Sequence, residues 1–534
     1  MTDILIIGAG GAGLTAALKA KELGASVIVA GKTYPTSSQT SMAQGGINAA
    51  LGNKGEDATD LHIADTIKSA HGLCDEQMVR TMCTQAPQTI AWLESLGVPF
   101  SRLDNGGIGI QTIAQRQMGG ASAKRACYAQ DYTGLKILHT LYDTCLKEEI
   151  AFLDEHYLLN LIVNNATVKG ATFLDIRTGA IKQISAKSVI IATGGYGSLY
   201  HGYTTNAYGA TGDGIAAVIR AGGAVSDMEF IQFHPTALKH SGILISESAR
   251  GEGGYLVNSK GVRFVDELKP RDVVARAIFM ELQKGQEVFL DLRHLGEEKL
   301  LELLPQEIAL CKLHEQVDPA CELIPIKPVA HYCMGGIEVD TQLKIKHLNG
   351  CYAVGECSNA KVHGANRLGG NSLLEITTFG AIAAQHAASY ARQTPYKEAD
   401  ERQLGEDKGA IEALYAQEQS INFYEQRERL GKLLYENVGI IRDNEKLTQA
   451  KQAVEIMQSQ TTNMGLADKS RTNNTHLIDF LEFKNSVMLA PLIISAALIR
   501  DESRGAHFKV GFESPNDADF KHSIVLPNTK EICS

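Results

Sequence analysis

Paired cysteines are absent from this sequence of 534 residues. Its 10 cysteines are scattered, and no two of them form a C-x-x-C pair. Dispersed cysteines are typical of reduced thiols in a cytosolic protein, and they provide neither a disulfide framework nor an iron–sulfur or zinc motif. We therefore expect no metal site in this chain, and any redox cluster that works with it has to belong to a partner.

Long hydrophobic runs and an excess of positive charge are also missing. The longest apolar run, LAPLIISAALI at 489–499, contains a proline and is too short to span a bilayer. The N-terminus leads into MTDILIIGAG without a basic leader or twin arginine, so we expect a cytoplasmic chain without direct membrane insertion. The formal net charge of −10 gives no reason to expect nucleic acid as a partner, and an anionic substrate would need a local basic pocket.

Glycine, in contrast, is abundant, with 51 residues, and apolar runs end in glycine turns. Residues 3–30 predict a strand, a glycine turn, a helix and a second strand, and similar strand signals return at 187–197 and 349–356. This spacing predicts one nucleotide-binding domain over 1–223 and 326–396, interrupted by an insertion at 224–325. A charged helical domain at 397–502 and an irregular C-terminal tail at 503–534 follow.

The first glycine turn is Gly8-x-Gly10-x-x-Gly13, after an apolar strand and at the start of a helix. Glycine at these positions permits a tight turn and lets a pyrophosphate approach the helix N-terminus. The acidic residue that usually follows about 20 positions later is absent, because the second strand ends in VAGK. From this motif alone, NAD, FAD and a degenerate nucleotide site all remain open.

Polar side chains in otherwise apolar segments form a second set of candidates. They are His234, Ser246, Glu247, Arg250, Arg271, His331 and Arg367. Each one alone is explained by a capped helix, a hydrogen-bonded core histidine or a surface arginine. Together, two histidines and several arginines around one site indicate a dicarboxylate ligand, because guanidinium groups bind carboxylates bidentately.

The chain resembles the flavoprotein subunits of fumarate reductase and succinate dehydrogenase over nearly its whole length. The resemblance lies in the motifs GAGGAG, QRQMGGAS, IATGGYGSLY, TGDG, QFHPT, RGEGGYLVN, DLRHLGEEKLLELLP, HYCMGGIEVD, HGANRLGGNSLLE and ESRGAH. It implies an α/β fold in which a Rossmann-like FAD-binding domain is interrupted by a mobile α+β capping domain. A helical domain and a C-terminal tail follow, and the substrate would lie between FAD and the cap.

The resemblance also implies a reaction, the interconversion of fumarate and succinate by hydride transfer at flavin N5. Arg271 matches the residue that exchanges a proton with the substrate, and Glu247 and Arg250 match the pair that reprotonates it. The residues that match the carboxylate-binding positions of the family are His234, Ser246, His331 and Arg367. Their combined positive field would polarise the C=C bond. Ser246 replaces the usual threonine, and Met118 replaces a usual aromatic residue.

The polar segment PTSSQTSMAQGGINAALGN, at 35–53, would wrap the FAD in this family. The residues implied to bind the cofactor are Gly8, Gly10, Gly11, Gly13, Lys32, Ser38, Gln39, Thr40, Gln44, Gly45, Gly46, Thr193, Gly194, Asp213, Glu356, Ser372 and Leu373. Gln39 stands where membrane-bound members carry the histidine that bonds covalently to the flavin. A carboxamide is no such nucleophile, so we expect non-covalent FAD and a bias toward fumarate reduction. The alternative is that Gln39 is a neutral variant that only contacts FAD.

Two other functions compete with this interpretation. L-Aspartate oxidase shares the fold, the arginines and a non-covalent FAD, but acts on an amine. A flavin-binding subunit that docks to a redox complex without turning over substrate would be the second alternative. In the family the flavoprotein works with an iron–sulfur subunit, so we expect such a partner, together with a membrane anchor at the cytoplasmic face of the inner membrane or a soluble electron donor.

Overall fold

The central sheet has seven strands, the first of which is at the N-terminus. The computed structural model describes residues 2–103, 108–396 and 399–526. The strands are β1 (Thr2–Ile7), β2 (Val27–Ala30), β3 (Ile47–Asn48), β4 (Gln115–Arg116), β5 (Ala126–Cys127), β6 (Ala151–Leu153), β7 (His156–Asn164), β8 (Thr167–Asp175), β9 (Ile181–Ile191), β10 (Val225–Ser226), β11 (Ile231–Leu238), β12 (Tyr255–Asn258), β13 (Val288–Asp291), β14 (Ile324–Cys333), β15 (Gly336–Glu338), β16 (Cys351–Ala353), β17 (Ser358–Asn359) and β18 (Val525–Leu526).

Helices surround this sheet and continue beyond it. They are α1 (Gly11–Glu22), α2 (Thr59–Ser69), α3 (Glu76–Leu96), α4 (Thr133–Lys147), α5 (Asp213–Arg220), α6 (Glu247–Gly251), α7 (Arg271–Gln283), α8 (Glu297–Leu303), α9 (Pro305–His314), α10 (Asn371–Gln393), α11 (Arg402–Ala416), α12 (Phe423–Asn437), α13 (Asn444–Gln460), α14 (Thr475–Ile499) and α15 (Asp517–Phe520).

The central sheet has the order β6-β2-β1-β9-β8-β7, with β16 paired to β9. β1, β2, β6, β9 and β16 are parallel, whereas β8 and β7 continue the sheet in antiparallel fashion. Ile4, Leu5 and Ile6 are all fully buried in β1. Because successive side chains of a strand point to opposite faces, this continuous burial shows that both faces of the sheet are covered.

The glycine turn after β1 depends on close backbone packing. Gly8 has a φ of +114°, a conformation that side chains rarely adopt. A Cβ at Gly13 would lie 1.9 Å from the carbonyl oxygen of Gly8. On the outer side of α1, the helix α10 approaches closely, because a Cβ at Gly380 would lie only 2.9 Å from the Ala12 oxygen. The glycines thus let α1 begin directly at the carboxyl ends of the parallel strands.

Residues 224–325, called the capping segment below, carry a second sheet of order β11-β14-β13-β12. All its pairings are antiparallel, and α6 to α9 belong to the same stretch of chain. Its core is separate from that of the central sheet and includes Leu238, Ile278, Leu290 and Ile324. The sheet also takes in β14 as far as Cys333, so its last strand extends beyond residue 325.

The helical segment that follows contains α11 to α14. Most of α14 is buried, and the Asn474 side chain caps its start by accepting a hydrogen bond from the Leu477 N–H at 2.8 Å. None of the helices within the described ranges is both long and apolar enough to cross a bilayer.

The described part of the C-terminal tail, residues 503–526, contains α15 and β18, and residues 527–534 lie outside the described ranges. β18 pairs with β10, the strand at the entrance to the capping segment. Buried ion pairs join the residues just before the tail to the residues just after β10. Arg500 binds Glu229 at 2.5 Å, and it also binds Glu502 at 3.0 Å. A strand of two residues has no detectable periodicity, which is why the sequence predicts only an irregular tail.

We expect Gly13→Ala to lower the thermal stability of the protein, because its Cβ would collide with the Gly8 carbonyl and force the turn to move. Overpacking of this kind typically costs about 1–3 kcal/mol. Gly405→Ala is the matched control, since Gly405 lies in α11 and its Cβ would meet no atom within 4 Å. That change is expected to stabilise the helix by about 0.5–1 kcal/mol. Equal thermal unfolding midpoints for the two variants would contradict the close packing at Gly13.

Candidate functional site

A cavity of about 1930 Å³, its open mouth included, extends from the glycine turn to the capping segment. It is lined by all but one of the residues that the sequence assigns to a cofactor: Gly8, Gly10, Gly11, Lys32, Ser38, Gln39, Thr40, Gln44, Gly45, Gly46, Thr193, Gly194, Asp213, Glu356, Ser372 and Leu373. The exception is Gly13, which lies beneath Gly8 and shapes the turn without facing the cavity.

The walls of this cavity fit a dinucleotide cofactor. The buried polar atoms Ser38 Oγ, Gln44 Oε1 and Thr193 Oγ1 have no hydrogen-bond partner among the described residues. The N-terminus of α1 also opens here, and Gly10 offers no capping side chain. Free N–H groups at a helix N-terminus favour a phosphate, and orphaned buried hydroxyl and amide groups need a polar ligand.

Lys32 lies in place of the acidic residue that usually ends the second strand of such a fold. Its ammonium binds Asp213 at 2.5 Å and Glu482 of α14 at 2.7 Å. Burial alone would lower the pKa of Lys32, but the two carboxylates outweigh burial and raise that pKa. Asp213 also accepts hydrogen bonds from the Tyr157 hydroxyl at 3.0 Å and the Asn485 amide at 2.8 Å. This network ties the helical segment to the cavity wall.

Gln39 lies in a short 3₁₀ turn, Gln39–Met42, at the cavity wall. Its carbonyl oxygen, Oε1, accepts a hydrogen bond of 2.9 Å from the N–H of Ala207. The next residue, Thr40, accepts one of 3.0 Å from the N–H of Gly11 at the start of α1. The polar segment is thus held against two loops by its own side chains while it faces the cavity.

The inner end of the cavity contains a buried carboxylate between two arginines. Glu247, in α6, accepts hydrogen bonds from Arg271 at 2.9 and 3.2 Å and from Arg250 at 3.2 Å. Burial opposes ionisation of Glu247, but the two guanidinium charges prevail and lower its pKa. Arg271, the first residue of α7, lines the cavity together with Glu247, whereas Arg250 lies behind them.

Arg271 is oriented by a second partner, Gln232. The side-chain oxygen of Gln232 accepts a hydrogen bond of 3.0 Å from Arg271, and its amide donates to Asn366 at 2.9 Å and to the Arg367 carbonyl at 2.8 Å. Gln232 thereby connects the capping sheet with the loop that carries Arg367. Gln232 lies two residues before His234 on the same strand, a spacing visible in the sequence that places both side chains on one face.

Arg367 is buried, yet no described residue accepts a hydrogen bond from its guanidinium group. The group stacks on the ring of Tyr332, 4.1 Å from its centroid. The Tyr332 hydroxyl donates to Glu375 at 2.7 Å, which fixes the ring. Burial and the nearby charge of Arg271 lower the pKa of Arg367 to about 10, so it remains a cation at neutral pH. A buried cation without a hydrogen-bond acceptor favours an anionic ligand.

Two histidine rings complete this end of the cavity, with the centroids of His234 and His331 4.8 Å apart. His234 Nδ1 lies 3.1 Å from the Thr236 carbonyl oxygen and 3.2 Å from the Thr236 nitrogen, so the Thr236 backbone holds the ring. His331 Nδ1 bonds to the Thr205 hydroxyl at 2.7 Å. Burial and the neighbouring arginines hold the pKa of both histidines well below its usual range. Both rings are therefore neutral at pH 7, and the positive charge of the site comes from its arginines.

Ser246 lies at the N-terminus of α6, where its hydroxyl accepts a hydrogen bond of 3.0 Å from the N–H of Ser248. Ser246 and Met118 both line the cavity. The sequence did not single out Gln232, Tyr332 or Thr205, which contact site residues from neighbouring strands and a loop. Within the described ranges, no group of histidine, cysteine or acidic side chains could hold a metal ion, and all the cysteines there are free thiols.

Comparison with known proteins gives two family matches. Residues 3–373 match the FAD binding domain, and residues 427–532 match the C-terminal domain of fumarate reductase flavoproteins. The chain is 37% identical to the 8-methylmenaquinol:fumarate reductase flavoprotein subunit of Wolinella succinogenes, over 98% of this chain and 88% of that one. It is also 37% identical to the succinate dehydrogenase flavoprotein subunit of Rickettsia bellii, over 98% and 92%.

Solved structures agree with these matches. A variant of quinol fumarate reductase from E. coli superposes with a TM-score of 0.93 at 36% identity, covering 98% of this chain and 94% of that one. A quinol-fumarate reductase with menaquinol molecules gives a TM-score of 0.93 at 35% identity, with 99% and 97% covered. The predicted fold class is confirmed by this likeness.

Replacement of Tyr332 is expected to weaken the binding of a small dicarboxylate such as malonate. In Tyr332→Leu the stacking on Arg367 is lost, and a desolvated cation–π contact is worth about 0.5–2 kcal/mol, or roughly 2- to 30-fold in affinity. Tyr332→Phe is the matched control, because it keeps the ring and loses only the hydroxyl. Calorimetric titration of cofactor-loaded protein measures both variants. Wild-type affinity in Tyr332→Leu would mean that the ring does not orient Arg367.

Proposed function

Because this chain belongs to the family of fumarate reductase and succinate dehydrogenase flavoprotein subunits, we propose that it interconverts fumarate and succinate at a bound FAD. The proposal depends above all on the Arg271–Glu247–Arg250 series beside the unpartnered Arg367. This arrangement provides a proton donor, a means to recharge it and a carboxylate clamp in one buried place. A purely structural flavin-binding subunit would need none of these.

Substrate binding in this proposal uses the cationic and neutral donors at the inner end of the cavity. Arg367 binds one carboxylate, and the His234 ring, together with His331 and the Ser246 hydroxyl, binds the other. Since the histidines are neutral, they select by hydrogen bonding, whereas Arg271 and Arg367 supply the charge that a dianion requires. The same charge draws electron density toward the carboxylates and polarises the C=C bond.

The proton step belongs to Arg271. FAD, when bound, would supply hydride chemistry, and Arg271 would donate a proton to the carbon of fumarate next to the one that receives the hydride. A guanidinium group does not persist in the neutral form in proteins, so the lost proton has to return at once. Glu247, which already accepts two hydrogen bonds from Arg271, is placed to return it, and Arg250 recharges Glu247 from the other side. In succinate oxidation the protons would move in the opposite direction.

We also propose that FAD is held without a covalent bond. Gln39 faces the cavity in the polar segment, and its carboxamide is engaged with Ala207 rather than available as a nucleophile. The residues suited to the cofactor are those of the glycine turn, the polar segment, and the orphaned hydroxyls of Ser38 and Thr193. Without the electron-withdrawing bond of an imidazole to the flavin, the reduction potential of FAD would be lower, which favours fumarate reduction.

The physiological assembly follows from the same family membership. A two-electron flavin that exchanges electrons with one-electron carriers needs a partner, and we propose an iron–sulfur subunit for this role. The partner would dock either with a membrane anchor at the cytoplasmic face of the inner membrane or with a soluble electron donor. The relatives of this chain are flavoprotein subunits, which supports the view that it works in such a complex.

The central test is fumarate reduction by FAD-loaded protein with a reduced dye. Arg271→Lys is expected to lower turnover by about 10²- to 10⁴-fold, the usual loss when a positioned proton donor is removed, with the FAD content unchanged. Arg276→Lys is the control, because Arg276 lies on the same helix but does not line the cavity. Near-normal turnover in Arg271→Lys would remove this residue from the mechanism.

The same assay separates the alternative functions. Peroxide production from aspartate that exceeds fumarate reduction would identify an L-aspartate oxidase. A wild-type protein that binds FAD but turns over neither substrate would be a non-catalytic flavin-binding subunit.

Acid precipitation is expected to release yellow FAD into the supernatant, because Gln39 forms no bond to the flavin. With matched dyes, fumarate reduction should be faster than succinate oxidation, since for a two-electron couple about 30 mV already changes the equilibrium tenfold. Absorbance of the supernatant and in-gel flavin fluorescence measure the first point. Flavin fluorescence that migrates with the denatured chain, or equal rates in both directions, would contradict the role given to Gln39.

A further inference from the structure

A buried acidic side chain outside the cavity contacts the substrate end of the site. Glu307 is the third residue of α9 and is 1% exposed. Its Oε1 accepts a hydrogen bond of 3.1 Å from the backbone N–H of Ser246, and its Oε2 has no partner among the described residues. Ser246 begins α6, so this hydrogen bond fixes the point where the catalytic helix starts.

The position of Glu307 is set in turn from the nucleotide-binding side. Asp131 precedes α4 and is buried, and its Oδ2 accepts hydrogen bonds from the N–H groups of Gln306 at 2.8 Å and Glu307 at 3.1 Å. Asp131 thus caps the N-terminus of α9 across the boundary between the two parts of the chain. A continuous series of contacts leads from Asp131 through α9 and Glu307 to Ser246.

Displacement of Ser246 would affect the site in two ways. Ser246 lines the cavity, and the next residue is Glu247, which accepts hydrogen bonds from Arg271. We infer that Glu307 is a positioning residue of the dicarboxylate site, because it holds the Ser246 backbone in place. Through Asp131, this alignment also depends on contact between the capping segment and the FAD-binding residues that precede it. This inference rests on the proposed function.

The protonation state of Glu307 also affects the site. The ionisable groups around Glu307 are Asp131 and Arg116 on the nucleotide-binding side, Cys311 on its own helix and Glu247 beside Ser246. Burial, reinforced by Asp131, raises the pKa of Glu307 to about 8. The carboxyl group is therefore mostly neutral at pH 7 and becomes anionic as the pH rises through about 8. A negative charge on Glu307 repels a dicarboxylate, so the affinity of the site for malonate should fall as the pH rises.

Two substitutions separate positioning from charge. Glu307→Gln keeps an oxygen for the Ser246 N–H and cannot ionise, whereas Glu307→Leu removes the acceptor. Glu298→Gln, at an exposed position on α8, is the control. The measurements are the Kd of malonate and the fumarate KM and kcat of FAD-loaded protein from about pH 6.5 to 9.5. Wild type and Glu307→Gln are compared directly, because Glu356 and Arg367 can also titrate within or near this range.

We expect Glu307→Leu to raise the malonate Kd and the fumarate KM by about 3- to 10-fold near pH 7, as for one lost hydrogen bond, and to lower kcat by a smaller factor, because the displacement reaches Arg271 only through Glu247. Glu307→Gln should keep wild-type affinity near pH 7 and lack part of the alkaline loss of affinity. Wild-type Kd in a folded, FAD-loaded Glu307→Leu protein would overturn the inference. If that variant does not fold, an alkaline loss in Glu307→Gln equal to that of wild type overturns it. The malonate ratios do not depend on turnover, so failure of the proposed function would be seen separately.

Discussion

The charge balance around Glu247 is the interaction on which the rest of the site depends. Arg250 and Arg271 are both buried, and removal of a guanidinium ion from water costs several kcal/mol unless an anion compensates it. Glu247 provides that anion for both of them. The surrounding backbone makes room for it, because a Cβ at Gly119 or Gly369 would lie 2.4 or 2.3 Å from its carboxylate oxygens. Two glycine motifs distant in sequence are thus explained by one side chain.

The sequence predicts the parts of this structure that depend on local pattern. Glycine turns after apolar strands locate the cofactor cavity, and nearly every residue assigned to it lines the wall. Gly13 and Arg250 fall outside because they support neighbours of the cavity rather than face it. Contacts between distant segments are not visible in one sequence. Gln232 meets Arg271, and Asp131 meets α9, only in the folded chain.

Protonation is a further property that the sequence does not reveal. Two histidines beside arginines suggest a fully cationic pocket, but burial and the guanidinium charges keep both rings neutral. The site therefore contains permanent charges from arginine, which hold their state over a wide pH range, and neutral donors that give direction to hydrogen bonds. Such a division of roles lets the pocket attract a dianion while it retains a fixed geometry.

The pairing of β18 with β10 has a consequence for the order in which this protein is made. Val225 and Ser226 are synthesised about 300 residues before their partners Leu526 and Val525. During translation the entrance to the capping segment is complete on one side only, and its open strand edge stays available until the tail has left the ribosome. Contacts of such long sequence separation form slowly. The β10–β18 pairing can therefore form only after the rest of the capping segment and the helical segment have been synthesised.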